Sequence, residues 1–358
     1  MHFLTLRADN LRVFRSAQLV LEPGWNLIVG ANGAGKTTLL EAAYLLSHGR
    51  SFRTAQREAF VRVGETGCAV FGSIQQQART RRVGLARQAR RMEARVDGAT
   101  VPLVELLGHV AVLCFEPDSH NLIAGAADER RRYLDWGVFH VEHEFLVTWR
   151  RYQRALRQRN ALLRAGAQDS EREPWDHELS RFAAPLAQMR SAYFDQLVPL
   201  VEEELARLVP ELGAPLLTLD CGFDASRALL DSLADRIDRD RALGHTTVGP
   251  HRADMRLGFA LAPRREHLSR GQQKLAALAL VLAQARLFQA ERGDWPVICL
   301  DDIASEVDQA HRDRALGAVA ATGAQVLLAG TEVPEIPSSC RKTAATFHVE
   351  HGEVRRLL

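Results

Sequence analysis

Gly30-Ala31-Asn32-Gly33-Ala34-Gly35-Lys36-Thr37 stands between an apolar run, Trp25 to Val29, and a stretch with helical periodicity, TTLLEAAYLLSHG (37–49). The octapeptide fits G-x-x-x-x-G-K-[ST] at every fixed position. The spacing has a physical reason. Glycines let backbone N–H groups turn inward around a phosphate, where side chains would clash. The following helix offers its positive N-terminal end to the same anion. Lys36 would then reach the β- and γ-phosphates, and the Thr37 hydroxyl would ligate Mg²⁺. A chance glycine-rich turn has no need to follow a buried strand and open a helix, as this one does. Residues 30–38, through Thr38, are therefore the expected ATP contact, with Lys36 also expected to act in catalysis.

A second stretch fits the same chemistry. Val297-Ile298-Cys299-Leu300-Asp301-Asp302 is an apolar run ending in two carboxylates. Asp301 is expected to hold Mg²⁺, directly or through water. Asp302 is expected to orient or deprotonate the attacking water. The plain alternative is a strand followed by an acidic helix cap. An upstream P-loop tips the balance toward the catalytic reading.

Between the two lies Leu268-Ser269-Arg270-Gly271-Gln272-Gln273-Lys274, at the head of a long helical pattern. A serine there, with glycine two residues on, makes an anion-binding helix start, although a simple N-cap reads the same. The segment resembles the signature motif of ABC-type ATPases. That resemblance implies that Ser269, Gly271 and Gln272 meet the γ-phosphate held by an opposite subunit. Ser305-Glu306-Val307-Asp308 resembles the D-loop of that superfamily, with Asp308 also acting in trans. This order of motifs implies ATP sandwiched between two heads, hence an ATP-dependent homodimer.

Around these motifs the patterning changes. Residues 67–104 are short, alternating and broken by polar turns, and Asp97-Gly98 is a hairpin signal. An antiparallel sheet is predicted, its arginines on the solvated face. From about 126 to 210 the pattern is helical, punctuated by Pro174 and Pro210. Strand signals return at 215–223 and 246–261, then a helix (275–293), two apolar strands (295–302 and 324–330) and a terminal hairpin turning near His351-Gly352. The expected fold is α/β: an ABC-type P-loop ATPase head with mixed sheets, built from 1–115 and 211–358, with an inserted α-helical arm lobe at 116–210.

Composition narrows the setting. The chain has 358 residues, 46% hydrophobic and 25% charged, ordinary values for a globular protein. It has no run of 18 apolar residues, so no membrane span or membrane partner is expected. Its start lacks the apolar core of a secretory signal. The five cysteines are scattered and without metal-ligand spacing, which points to reduced thiols and a cytoplasmic setting. Of the 46 basic residues only Lys36, Lys274 and Lys342 are lysines. The predicted arm carries Arg150, Arg151, Arg154, Arg157, Arg159 and Arg164. Arg150, Arg154 and Arg157 share a helix face. They would suit DNA phosphates or simply form a solvated face. Tyr152 and Trp149 read as core. Arg130, Arg131 and Arg132 are candidates for salt bridges between head and arm, and His251 beside Gly249-Pro250 for a structural turn.

The chain resembles the RecF family along its whole length. The carriers are NLRVFR and GANGAGKTTLLEAAYLLSHGRSFRT within 10–54, Pro117-Asp118, and Arg130-Arg131-Arg132-Tyr133-Leu134-Asp135. Tyr152 with Gln158-Arg159-Asn160 follows. Then come Gly244, Thr246, Gly249-Pro250-His251-Arg252-Ala253-Asp254, LSRGQQK and LDDIASEVD. The resemblance implies a DNA-binding repair ATPase acting at single-strand gaps and at junctions of single- and double-stranded DNA. It implies work with RecR, RecO and RecA type proteins in RecA loading and the SOS response, with slow, DNA-linked hydrolysis. Three positions depart from the pattern: glycine precedes Thr331, Arg270 stands in the signature, and Glu116-Pro117-Asp118 occupies the usual place of a Q-loop glutamine. The alternative function is the ATPase subunit of an ABC transporter.

Overall fold

The computed structural model describes residues 1–54, 56, 58–89, 91–303, 309–333 and 335–357. The chain divides into two compact units, residues 1–119 with 270–358, and residues 120–269.

The first unit opens with strands β1 (His2–Leu11), β2 (Phe14–Val20) and β3 (Trp25–Val29), then helix α1 (Lys36–His48). It continues through β4 (Gly67–Gln76), β5 (Arg79–Gln88), β6 (Arg91–Val96), β7 (Ala99–Val101), α2 (Leu103–His109) and β8 (Val112–Phe115). One sheet, ordered β2-β1-β4-β5-β6-β7, is antiparallel throughout. The turn from β6 to β7 is Asp97-Gly98, with φ of 50° and 88°. Two positive φ values are what a tight hairpin turn matching strand twist requires. Most arginines of this sheet face solvent, as predicted from the alternation. Arg87 does not: only 6% exposed, it reaches Glu58 at 2.6 Å and lies over the Phe60 ring. Burial of its stem against an aromatic ring outweighs exposure of the charge, which the carboxylate neutralises.

The second unit contains α3 (Asn121–Ala124), α4 (Ala127–Val141), α5 (Phe145–Ala165), α6 (Asp169–Leu208), β9 (Pro215–Asp220), α7 (Leu229–Asp235), α8 (Ile237–Leu243) and β10 (Asp254–Phe259). Helices α5 and α6 pack together across a break at Gly166, which caps α5 in the left-handed region at φ 64°. A capping box of Gln168 and Glu171 then starts α6. Pro174, expected to interrupt the helices, lies inside α6, as do Pro185 and Pro199. Each proline removes one backbone bond, but a 40-residue helix with a packed apolar face tolerates the loss. Residues 211–269, assigned by sequence to the head, fall in this unit. The reason is local: among the described residues β9 and β10 pair only with each other, and they pack on α6 and α4.

The chain then re-enters the first unit through α9 (Arg270–Arg292), β11 (Val297–Asp301), α10 (Gln309–Ala320), β12 (Val326–Gly330), α11 (Ser338–Arg341), β13 (Ala345–Glu350) and β14 (Glu353–Arg356). These build a second sheet, β14-β13-β3-β12-β11-β8, parallel except for the edge strand β14. Strand β3 lies inside it, between β12 and β13. Strands β3, β11 and β12 are buried along their entire length, as their unbroken apolar runs require of parallel strands covered on both faces. Helix α1 packs against strands of both sheets. That position explains its lack of a polar face, since Leu39, Leu40, Ala42, Ala43, Leu45 and Leu46 are all buried. Gln325 ties the sheets together: its amide accepts from Phe3 N at 2.7 Å and donates to Phe3 O at 2.8 Å. Among the described residues no helix is long and apolar enough to cross a membrane.

Candidate functional site

The loop from β3 to α1 has the shape its glycines anticipate. A Cβ on Gly30 would lie 2.2 Å from the Val349 carbonyl oxygen, and one on Gly35 would lie 2.6 Å from the Phe14 ring. Gly35 also has φ 118°, closed to ordinary side chains. Lys36 is buried, and its Nζ donates to Gly30 O at 2.8 Å and Ala31 O at 2.9 Å. An ammonium has three protons, so one is left for a ligand in the loop.

At the other end of the same turn, the Thr37 hydroxyl donates to Asp301 Oδ1 at 3.1 Å. The sheet order makes this contact: β12 separates β3 from β11, and both strands finish at the same edge. Asp301 is 5% exposed. Burial raises its pKa, with the neighbouring Asp302 adding to the rise and Thr37, Arg53 and Lys36 opposing it. A buried carboxylate whose charge is disfavoured is suited to a cation. Among the described residues no group of three or more His, Cys, Asp or Glu could hold a metal. A cation bound by Thr37 and Asp301 would take further oxygens from water and phosphate, the habit of Mg²⁺.

Asp302 follows with φ 51°, its N–H donating to Ala329 O at 3.0 Å. Aspartate tolerates this left-handed conformation better than most residues. It turns the chain sharply after β11. Lys274, in α9, has its pKa lowered by burial and by Arg270, against the raising fields of Asp118 and Asp302. The stretch Glu116-Pro117-Asp118, where a glutamine was expected, thus brings a carboxylate into the field of Lys274.

Ser269 and Arg270 are exposed at the start of α9, while Gly271 and Gln272 are half-buried and the rest of the helix sinks into the core. Thr331 is exposed after β12. Asp308, with the rest of 304–308, lies outside the described residues. Sequence reasoning passed over other neighbours of the loop. A cavity of about 520 Å³ is bordered by Val13, residues 31–34 and the β13–β14 turn at 348–352. Glu41, fully buried in α1, accepts from Arg12 at 2.5 and 2.7 Å and from Ser51. No short motif flags these residues, because strand pairing brings them together.

In the second unit Arg150, Arg154 and Arg157 are exposed. Arg159 is not: it is fully buried, bonded to Asp176 at 2.6 Å, Asp240 at 2.7 Å and Thr246 at 2.8 Å. A guanidinium held that way cannot meet DNA. Tyr152 is core, as expected, with its hydroxyl 2.7 Å from His251 Nδ1. His251 Nε2 lies 3.0 Å from Thr246 O. The carbonyl can only accept, so Nε2 carries the proton and Nδ1 accepts from Tyr152. Burial pushes the His251 pKa down to about 4. Arg130 forks onto Asp254 at 2.7 and 3.1 Å, and Arg190 onto Asp135 at 2.8 and 3.0 Å.

The chain matches the RecF/RecN/SMC N-terminal domain family over residues 3–354. It is 44% identical to the DNA replication and repair protein RecF of Xanthomonas euvesicatoria, across 99% of each chain. With the RecF of Stutzerimonas stutzeri it shares 38% identity, across 98% of this chain and 96% of that one. A solved structure of the recombination mediator protein RecF with ATP, in the RecFOR pathway, superposes with a TM-score of 0.89 at 25% identity, covering 100% and 98% of the two chains. An Smc head bound to the C-terminal winged-helix domain of ScpA gives 0.60 at 14% identity, covering 100% and 97%, a likeness of fold alone.

Proposed function

The chain belongs to the RecF/RecN/SMC N-terminal domain family, in its RecF branch, and on that footing we propose that it is an ATP-binding DNA replication and repair protein of the RecFOR pathway. The observation that carries the ATPase reading is the Thr37–Asp301 bond beside a loop already gripped by Lys36. In this reading residues 30–38 receive the phosphates on backbone N–H groups and the Lys36 ammonium. Thr37 and Asp301 hold Mg²⁺, which when bound would neutralise charge on the phosphates. Asp302 takes the attacking water's proton or aligns it.

One head leaves this chemistry incomplete. Ser269, Gly271, Gln272 and Asp308 act on the nucleotide of a second copy, so that ATP closes a homodimer. Exposure of Ser269 at the start of α9 supports that role. DNA, and RecO, RecR and RecA type proteins, are the partners, with gapped DNA as the favoured substrate and slow turnover as a timing device. The setting is the cytoplasm. The transporter-subunit alternative is set aside, because the likeness to RecF proteins runs the length of the chain, second unit included.

The test is ATP turnover by the purified protein, alone and with gapped duplex DNA at fixed low salt. Turnover stimulated by DNA, and lost in both Lys36→Met and Ser269→Ala, supports the reading. Normal hydrolysis by Lys36→Met overturns it.

A further inference from the structure

A cavity of about 480 Å³ lies wholly within the second unit, between the end of β9, helices α7 and α8, and the loop preceding β10. Arg227, Arg236, Arg239 and Arg252 border it, all exposed. Its three aspartates are already engaged. Asp235 pairs with Arg227 at 3.1 Å, and Asp224 is bonded to Ser226 at 2.6 Å. Asp220 accepts from Gly222 N at 2.8 Å and faces Arg256 at 3.5 Å. Among the described residues the side chains of Arg236 and Arg239 have neither an ion pair nor a hydrogen bond. Arg252 spends one N–H on Thr246 O at 3.0 Å.

The wall carrying Arg252 is rigid. Gly249 N donates to Gly222 O at 2.9 Å, and a Cβ on Gly222 would lie 2.4 Å from Gly249 O. Two backbones therefore meet where no side chain fits. The loop is pinned a second time by Asp240, fully buried, which accepts from Thr247 N at 2.9 Å and the Thr247 hydroxyl at 2.7 Å. Arg159 holds Asp240 from the other side. A loop fixed this firmly presents a preset arginine to an open cavity, which lowers the ordering cost of binding an anion.

We propose that this cavity is a phosphate-binding site, in a different unit from the P-loop, in which Arg236, Arg239 and Arg252 together receive one phosphate group. Guanidinium forks match phosphate oxygens in pairs, and the cavity leaves room for what the phosphate is attached to. The phosphate is that of a polynucleotide backbone or a free phosphate; the polynucleotide case rests on the DNA reading above.

The experiment compares the wild type with Arg236→Glu/Arg239→Glu and, as a milder change, Arg239→Gln. Neither arginine has a partner to lose, so melting without ligand is expected to match the wild type. Inorganic phosphate should raise the wild-type melting temperature more than that of the double variant; any rise surviving in the variant belongs to the P-loop. Affinity for duplex DNA is measured across a salt series. A fall of about tenfold, with a log–log salt slope shallower by about 0.9 for the one phosphate lost, assigns the backbone. A lost phosphate response with unchanged DNA affinity assigns a free phosphate. Equal phosphate response and equal DNA affinity in all three proteins overturn the proposal. If the wild type itself fails to bind DNA, the DNA reading falls, and the phosphate comparison alone decides this site.

Discussion

The Thr37 hydroxyl donates to the Asp301 carboxylate at 3.1 Å, joining α1 to the end of β11 across 264 positions of sequence. The bond holds a buried anion whose charge its surroundings disfavour. Its folded pKa is raised, so the cost of the charge is felt as pH rises above the carboxylate's ordinary value. Asp301→Asn removes the charge and keeps an oxygen for Thr37. The variant is expected to melt at or above the wild-type temperature without ligand. Its Mg²⁺-dependent ATP hydrolysis should fall by about a hundredfold or more. A melting temperature several degrees lower would show that the carboxylate is structural.

Arg159 sits at the centre of the second unit, with Asp176 and Asp240 as its counter-charges. Arg159→Leu strands the buried Asp240 without its cation and leaves Asp176 only its longer pair with Arg172, at 3.5 Å, a loss of about 3–5 kcal/mol. Urea unfolding should show the change. Adding Asp240→Asn should recover part of it, because one stranded charge is gone. Additive losses would mean the two residues do not act as a pair.

His251 gives the second unit a pH dependence of definite sign. Its folded pKa of about 4 lies below the ordinary 6.5, so between those values the unfolded chain binds the extra proton. Stability is full above about pH 6.5 and is lost as pH falls toward 4, by about 2 kcal/mol after allowing for partial exposure. Unfolding midpoints measured from pH 7.5 to 4.5 should fall in the wild type. The slope should flatten in His251→Gln, and an unchanged slope would remove the histidine from the account.

Arg150, Arg154 and Arg157 share an exposed side of α5. Reversing all three to Glu should leave the urea midpoint within about 0.5 kcal/mol of wild type, as surface changes do. If this face tracks DNA, affinity should drop at least tenfold, with a salt slope shallower by roughly two to three. Equal affinity would make it a solvated face.

How much of this could be read from the residues depends on distance along the chain. The P-loop, the acidic strand end, the Asp97-Gly98 turn and the closing hairpin are local patterns, and each appears where its spacing places it. Arg87 and Arg159 were misplaced because their partners are remote: Glu58 lies in a turn before β4, and Asp240 on α8. No periodicity shows that a carboxylate 81 positions away waits for a buried arginine. Pro174 misled for a related reason, since a strong local breaker is overridden by packing along α6. The extent of the arm was underestimated because β9 and β10 read as strands, and strands were assigned to the head; among the described residues they pair with each other alone.

Strand β3, which leads into the P-loop, is flanked by β12 and β13, and Gly30 fits closely against the carbonyl of Val349. On the ribosome, the loop therefore waits for the chain to be made through β13 before its walls exist. Residues 120–269 emerge whole well before that and can fold first. A nascent chain is thus blind to nucleotide until β12 and β13 have emerged, and one cut short before them carries the glycine-rich sequence without the pocket. The long sequence separation of these pairings also makes assembly of the head the slow step of folding.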